Sequence, residues 1–175
     1  MYPDTNESKG VDALPTEERK ALFAETVRER EKSLYRVALL MLRSPADAED
    51  AVCDAVEAAW RRIDRLRDEA ALPAYLTACV VNACRGVLRR RRREQTVDDL
   101  TPYAPVTHPE LPVWAYLMSL PEKYRLPLAL RYGEDMPVEE IARALRLPRG
   151  TVSTRISRGL KTLRAQMEKE AERCD

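Results

Sequence analysis

A run of basic and hydroxyl side chains near the carboxyl end of the chain has the composition of a phosphate-binding surface. Residues 149–164 contain five basic side chains and no carboxylate. Basic side chains neutralise phosphates and release counterions, arginine can contact guanine in a bidentate manner, and hydroxyls can contact several bases. A run of charge is also typical of a solvated helix face. The residues that could contact DNA here are Arg149, Thr151, Ser153, Thr154, Arg155, Ser157, Arg158 and Lys161.

A second basic patch lies in the middle of the chain. The net charge of the whole chain is +1, yet residues 1–80 contain 16 acidic and 12 basic side chains, whereas residues 81–100 contain 3 acidic and 6 basic ones. Five of those six are the consecutive arginines 89–93. Two basic patches on a nearly neutral chain are candidate nucleic-acid surfaces, with solvated faces as the alternative.

The carboxy-terminal basic run falls on the second of two predicted helices. One apolar stripe contains Val138, Ile141, Ala142 and Leu145, and another contains Val152, Ile156, Leu160 and Leu163. Both stripes follow the helical period, and a short connection separates them. The small side chain of Ala142 would let the two backbones approach closely. The pattern favours a helix-turn-helix that presents its second helix to a DNA major groove, although an ordinary helical hairpin shows the same polar outer face.

The rest of the chain is also predicted to be helical, so that the fold class is all-α. Its 175 residues are 45% hydrophobic, with five glycines and abundant Ala, Leu, Glu and Arg, which favours helix over strand. At Ser44-Pro45 we expect an N-cap followed by Pro at the first helical position, with Asp47 at the third. The expected helices span residues 16–42, 45 to about 65, 72–93, 113–119, 121–132, 138–145 and 151 to about 170.

Four prolines between residues 94 and 112 indicate an extended connection between two small helical domains. We therefore expect a mobile amino-terminal segment over residues 1–15, a first helical domain over 16–95, a flexible Pro-rich linker over 96–112 and a helix-turn-helix domain over 113–175.

Catalytic and metal-binding patterns are not found. The four cysteines, Cys53, Cys79, Cys84 and Cys174, lack the spacing of zinc ligands, and the single histidine, His108, lies in the Pro-rich stretch. No phosphate-binding loop or Ser/His/Asp pattern occurs. We expect no metal, no cofactor and no enzymatic activity. Without an amino-terminal signal sequence or a long apolar run, we expect a cytoplasmic protein with free thiols and no direct membrane insertion.

Four segments of the chain resemble the extracytoplasmic-function (ECF) subfamily of sigma-70 RNA polymerase sigma factors. The family's recognition helix is similar to GTVSTRISRGLKTLR, and the helices before it are similar to SLPEKYRLPLALRYGEDMPVEEIARAL. Further upstream, AEDAVCDAVEAAWRRI resembles the polymerase-binding helix and LPAYLTACVVNACRGVLRRRRR the promoter-melting segment. The four segments follow the family's order over residues 20–168.

The resemblance implies a sigma factor whose partners are core RNA polymerase, promoter DNA and an anti-sigma factor. Its helix-turn-helix would read the −35 element, and its first domain would melt the −10 element. Contacts to the clamp coiled coil of the polymerase β′ subunit would come from Asp47, Glu49, Asp50, Val52 and Asp54. Contacts to the −10 element would come from Tyr75, Asn82, Arg85, Arg89 and Arg90, with the amide of Asn82 reading an extruded base.

Each of these assignments has an alternative. The acidic residues also suit the start of a solvated helix, because the helix dipole favours negative charge there. Asn82 also suits a helix flank where its amide is satisfied within the protein. A stand-alone helix-turn-helix regulator would explain the second domain but leave the first without a role.

The chain departs from the family pattern at four positions. Cys53 replaces the common glutamine, Tyr75 replaces the common tryptophan, and Arg146 replaces the glycine usual in the turn of the helix-turn-helix. Because a non-glycine residue in the left-handed conformation costs about 1 kcal/mol, we expect strain or a different shape at Arg146. Pro127, inside a predicted helix, should remove one backbone hydrogen bond and bend the helix.

Overall fold

The computed structural model describes residues 16–66, 68–94 and 114–174, and the regular structure in these ranges is entirely helical. The all-α prediction is therefore confirmed for the described part of the chain. The predicted amino-terminal segment and Pro-rich linker lie outside it. The α-helices are α1 (Thr16–Leu42), α2 (Pro45–Trp60), α3 (Leu72–Glu94), α4 (Trp114–Ser119), α5 (Glu122–Leu128), α6 (Val138–Leu145) and α7 (Arg149–Cys174).

The first three helices pack on one another around a shared apolar core. Helix α2 contributes four buried alanines, Ala48, Ala51, Ala55 and Ala59, at the spacing of one helix face. Their small side chains let α2 lie close against larger core residues of the other two helices, among them Leu34 on α1 and Leu76 on α3. This packing fixes the position of α3, on which the predicted DNA-melting residues lie.

The start of α2 agrees with the predicted cap, but its end does not agree with the predicted end. The hydroxyl of Ser44 accepts a hydrogen bond from the backbone N–H of Asp47 at 3.4 Å, with Pro45 at the start of the helix. We expected the helix to continue to about residue 65, and it ends at Trp60. Tighter hydrogen bonds, Arg62 N–H to Ala59 at 3.0 Å among them, then form a 3₁₀ turn that buries Ile63.

The predicted helix over residues 121–132 is interrupted. Pro127 lies inside α5, and a π-helical turn over Ala129–Gly133 follows immediately. Proline cannot donate a backbone hydrogen bond, and its presence explains why the hydrogen-bonding pattern of the helix changes beside it. The last helix is longer than expected, because it begins at Arg149 rather than Thr151 and continues to Cys174.

The helices that follow the linker also pack against the first three. Helix α6 lies on α3, and α5 lies on α1. By length and composition, the segment Glu69–Arg93, which contains most of α3, is apolar enough to cross a membrane, and 44% of its apolar 18-residue stretch is buried inside the protein. In the fold it is the helix that contacts α1, α2 and α6, so its apolar residues serve the protein core.

Candidate nucleic-acid and protein interfaces

The turn of the helix-turn-helix closes on an arginine in the left-handed conformation. Arg146 has φ 54° and ψ 47°. Beyond it, the N–H of Leu147 donates to the carbonyl of Ala142 at 3.0 Å, and the N–H of Arg146 donates to that of Arg143 at 3.2 Å. This pair of hydrogen bonds is a common way for a helix to end, and the residue in the left-handed conformation is then usually glycine. The expected strain is therefore present, and the turn keeps the ordinary shape.

The outer face of α7 brings most of the predicted DNA-contacting residues together. Ile156 and Val152 are buried against the rest of the domain. On the opposite side, the exposed residues are Ser153, Thr154, Ser157, Arg158 and Lys161, and Thr151 and Arg155 are half-buried beside them. This surface carries positive charge and hydroxyl groups in the arrangement that a recognition helix needs.

Two residues at the start of α7 have partners within the protein. The guanidinium of Arg149 is exposed and lies 3.0 Å from a carboxylate oxygen of Glu139. The hydroxyl of Thr154 donates to the carbonyl of Gly150 at 2.8 Å. Because both contacts are at the surface, DNA can compete for these side chains at small cost.

Lys123 is a basic residue of this surface that the sequence pattern did not indicate. It lines a cleft of about 400 Å³ together with Tyr124 of α5 and with Gly150, Thr151, Thr154, Arg155 and Arg158 of α7. Its ammonium group lies 5.0 Å from the centre of the Tyr124 ring. Lys123 precedes α7 by 26 positions, so no local period connects them, and only the packing of α5 on α7 brings them together.

The acidic residues of α2 that were predicted to bind polymerase divide into two groups. Glu49, Asp50 and Asp54 are exposed on one surface, where Cys53 is also exposed. Val52 is partly buried against the core. Asp47 instead pairs with Arg91 of α3. Hydrogen bonding to Ser44, and then the charge of Arg91, hold the pKa of Asp47 below its ordinary value.

Arg91 has a structural position that sequence reasoning missed. Besides pairing with Asp47 at the start of α2, its guanidinium donates to the carbonyl of Leu42 at 3.1 Å, at the end of α1. One side chain of the arginine run therefore joins the three helices of the first domain. A run of five arginines gives no sign of which member faces inward.

The predicted −10 residues lie along α3. Asn82 and Tyr75 are half-buried and two helical turns apart, whereas Arg89 and Arg90 are exposed near the end of the helix. Arg85 turns away from solvent, because its guanidinium donates to the carbonyls of Ala144 at 3.3 Å and Leu145 at 2.6 Å. Burial, together with the neighbouring Arg146, lowers its pKa from the ordinary arginine value.

Three cysteines, Cys53, Cys79 and Cys84, are free thiols with different environments. Cys53 is exposed, Cys79 is partly buried and Cys84 is in the core. Burial raises the pKa of Cys84 to about 12, so this thiol stays protonated and acts as a small apolar side chain. Over residues 16–66, 68–94 and 114–174, no three potential metal-ligating side chains come together.

Two family models match the chain. Residues 26–94 match sigma-70 region 2, and residues 111–163 match sigma-70 region 4. The first range contains the acidic face of α2 and all of α3. The second contains the helix-turn-helix. The limits that we predicted for the domains, at 95 and 113, stay a prediction.

Curated relatives and a solved structure agree with these matches. An RNA polymerase sigma-E factor of Streptomyces avermitilis is 31% identical over 83% of this chain and 85% of its own length. The ECF RNA polymerase sigma factor SigM of Mycobacterium tuberculosis is 33% identical over 78% of this chain and 72% of its own. The fold matches the sigma factor RpoE of Bartonella quintana, solved with the anti-sigma factor NepR, with a TM-score of 0.74 at 23% identity, over 83% of this chain and 96% of that one. The chain therefore belongs to the ECF subfamily of sigma-70 RNA polymerase sigma factors.

Proposed function

We propose that this sigma factor binds core RNA polymerase through α2 and directs transcription from promoters that α7 and α3 recognise together. The observation that carries the proposal is the exposed face of α7, which is basic, rich in hydroxyls and free of carboxylates from Arg149 to Arg164. It stands in one chain with a domain that matches sigma-70 region 2. A stand-alone helix-turn-helix regulator would have no use for that domain, so we favour the sigma factor over it.

Reading of the −35 element is assigned to the middle of α7. Arg158 is exposed and follows the half-buried Arg155 by about one helical turn. Thr154 immediately precedes Arg155, and Ser157 immediately precedes Arg158. An arginine at this place can form two hydrogen bonds with guanine, whereas the hydroxyls adapt to several bases. Arg149, Thr151, Ser153 and Lys161 flank this centre, and we assign them mainly to phosphates, which fix the register of the helix on DNA.

Core polymerase is assigned to the exposed acidic face of α2. Glu49, Asp50 and Asp54 are free to meet a basic surface, such as that of the β′ clamp coiled coil. Val52 adds a small apolar contact at the edge. Asp47, which pairs with Arg91, contributes less to a partner because its charge is already matched within the first domain.

Opening of the −10 element is assigned to the face of α3 that carries Tyr75, Asn82 and Arg89. An amide at Asn82 can donate to and accept from an extruded base, and a ring at Tyr75 can stack on another. Arg89 and Arg90 are exposed and can follow the strand backbone. Arg85 can join them only after it leaves the carbonyls at the end of α6.

We propose three further features, which membership of the family supports. An anti-sigma factor is the partner that would hold the protein inactive. The place of action would be the bacterial cytoplasm, where RNA polymerase works. The protein would act by binding, as an initiation factor, and not as an enzyme.

Transcription from a library of random upstream sequences tests this function and identifies the promoter elements in the same experiment. Core polymerase and the chain would be incubated with the library, and the transcribed templates sequenced. A sigma factor should select two short elements at a fixed separation, and only when core polymerase is present. Selection of a single element by the chain alone, without transcription, would indicate the stand-alone regulator instead.

A further inference from the structure

A cleft of about 400 Å³ lies between α5 and α7, beside the face of α7 that we assign to the −35 element. We call it the side cleft. Two residues of α5 and five of α7 line it, namely Lys123, Tyr124, Gly150, Thr151, Thr154, Arg155 and Arg158. Three of these side chains are cations, three carry hydroxyl groups and none is a carboxylate. A surface of this composition attracts an anion.

Lys123 brings a charge to the side cleft from outside the helix-turn-helix. Its side chain is exposed, and its ammonium group lies 5.0 Å from the centre of the Tyr124 ring, whose face favours a cation. Over residues 16–66, 68–94 and 114–174, no carboxylate oxygen lies within 4.0 Å of this ammonium group. Arg149 differs, because its guanidinium lies 3.0 Å from a carboxylate oxygen of Glu139. The charge of Lys123 is therefore available to a ligand from outside the protein.

Close packing of α5 on α7 fixes the position of Lys123. A Cβ on Gly159 of α7 would lie 2.7 Å from the Leu128 side chain and 3.2 Å from the Cβ of Tyr124, so the helices approach at a residue that has no side chain. Tyr124 is half-buried and Leu128 is in the core. Because Lys123 directly precedes Tyr124, its backbone is held beside the exposed face of α7. A binding group on a rigid element needs little reorganisation when its ligand arrives.

The anion that fits the side cleft is a phosphate of DNA. Thr154 and Arg158 line the cleft and also belong to the exposed face that we assign to bases. A helix that reads base edges lies within the major groove, so the phosphates of the two strands pass along its sides. Lysine binds a phosphate as a point charge, without the two parallel hydrogen bonds through which arginine recognises guanine. Lys123 is therefore suited to the backbone beside the −35 element and not to its bases.

We propose that Lys123 binds a backbone phosphate on the flank of the −35 element and thereby fixes the position of α7 in the major groove. The proposal rests on the function assigned above to α7, and it adds a residue of α5 to that function. Because a phosphate carries no sequence information, Lys123 contributes equally to the binding of selected and random DNA. Arg158, in contrast, contributes mainly to the binding of the selected element.

Removal of one charge tests this assignment in the full-length chain, with fluorescence anisotropy at several salt concentrations as the measurement. Lys123→Ala should weaken binding to a duplex with the selected −35 element and to a random duplex by the same factor. Loss of one phosphate contact should also reduce the slope of log affinity against log salt concentration by about 0.9. Lys123→Arg, which keeps the cation, should restore both values. Lys169→Ala removes a lysine exposed farther along α7 and is the matched control, with the affinity and slope of wild type.

Unchanged affinity and slope for Lys123→Ala would overturn the proposal. A larger loss on the selected duplex than on the random one would also overturn it, because Lys123 would then read a base. If Arg158→Ala loses the preference for the selected duplex while Lys123→Ala matches Lys169→Ala, the function of α7 stands and the role of Lys123 alone is wrong. If wild type shows no preference between the duplexes, the function of α7 fails, and the role of Lys123 fails with it.

Duplexes with single uncharged backbone positions identify the contact. Replacing one phosphate at a time by a methylphosphonate should weaken binding of wild type at a position that flanks the −35 element, and the same replacement should cost Lys123→Ala nothing further. Additive losses at every position would contradict the assignment. Calorimetric titration with inorganic phosphate separates a free ion from the DNA backbone as the source of the phosphate. Binding of inorganic phosphate that requires Lys123, without any effect of Lys123→Ala on DNA binding, would assign the side cleft to a free anion and overturn the proposal.

Discussion

Arg158 is the side chain on α7 best placed to read a base, since it is exposed at the centre of the basic face. Arg158→Ala should lower the affinity for the selected −35 element by about 1–3 kcal/mol while changing affinity for random DNA much less. Fluorescence anisotropy with both DNAs, at one salt concentration, measures the difference. Lys169→Ala, farther along the same helix, is the control. Equal losses on both DNAs would assign Arg158 to phosphate.

Arg146 bears the conformational strain of the turn before α7. Arg146→Gly should stabilise the protein by about 1 kcal/mol, because glycine adopts a positive φ without cost, although its extra freedom in the unfolded chain reduces the gain. It also removes a cation beside Arg85. Urea unfolding followed by circular dichroism measures the change. Arg143→Gly, inside α6, should instead destabilise by about 1 kcal/mol. A loss of stability for both variants would mean that the Arg146 side chain has an unrecognised partner.

The role of a residue could be predicted where it depends on near neighbours in the sequence. It could not be predicted where it depends on contacts with distant segments of the chain. Ser44 caps a backbone N–H three positions away, so a local pattern contains both partners. Arg85 and Glu134 have partners that are 59 to 104 positions away. No periodic pattern or motif connects such pairs of residues. We therefore predicted only a DNA contact for Arg85 and no role for Glu134.

The acidic face of α2 is the element that we assign to polymerase. Asp54→Arg should weaken association with core polymerase, because a repulsive charge enters a surface matched to a basic partner. Asp64→Arg makes the same change in charge at an exposed position beyond α2. A pull-down of core enzyme at matched helicity compares them. Asp54→Arg binding as well as Asp64→Arg would remove the assignment of this face.

The positions of most helices were predicted accurately from the periodic spacing of apolar residues. The bounds of α1 and α6 agree with prediction to the residue. The agreement was poorer where tertiary packing determines the end of a helix. After α2, for example, a 3₁₀ turn replaces the predicted helix and places Ile63 in the core. The approach of α5 to α7 was also missed. A Cβ on Gly159 would lie 2.7 Å from Leu128, so this glycine permits the contact.

The relative position of the two domains could not be predicted from the sequence. A Pro-rich connection indicates only that two units are joined. No sequence motif links α6 to α3, and Arg85 and Glu134 become informative only when their partners are seen. The surfaces of α2 and α7 that we propose to bind polymerase and DNA, in contrast, are exposed in the whole molecule, as the sequence predicted.

The buried carboxyl of Glu134 makes stability depend on pH. Burial raises the pKa of Glu134 above its ordinary value, against the opposing effect of Arg30 and Arg36 and with a smaller contribution from Asp135. The folded state therefore binds this proton more tightly than the unfolded state does. The contribution of Glu134 to the free energy of unfolding has its full value below the ordinary pKa of 4.5. That contribution is lost as the pH rises through the raised pKa.

Glu134→Gln tests that dependence, because glutamine cannot ionise but can still accept hydrogen bonds. The stability of wild type relative to Glu134→Gln should increase as pH falls from 7 toward 4.5. Urea unfolding at several pH values measures the difference between the two proteins, so that other titrating groups cancel. A difference that stays constant, or that shrinks on acidification, would contradict the direction of the shift.

Permanganate reactivity of promoter thymines tests most directly the division of labour in which α7 docks the promoter and α3 melts it. With core polymerase and a selected duplex promoter, wild type should make thymines of the −10 element reactive. Asn82→Ala should still form the closed complex, lose most of that reactivity, and recover part of its activity on a premelted template. If Asn82→Ala melts the duplex as well as wild type does, Asn82 is structural and the assignment of melting to this face of α3 is wrong.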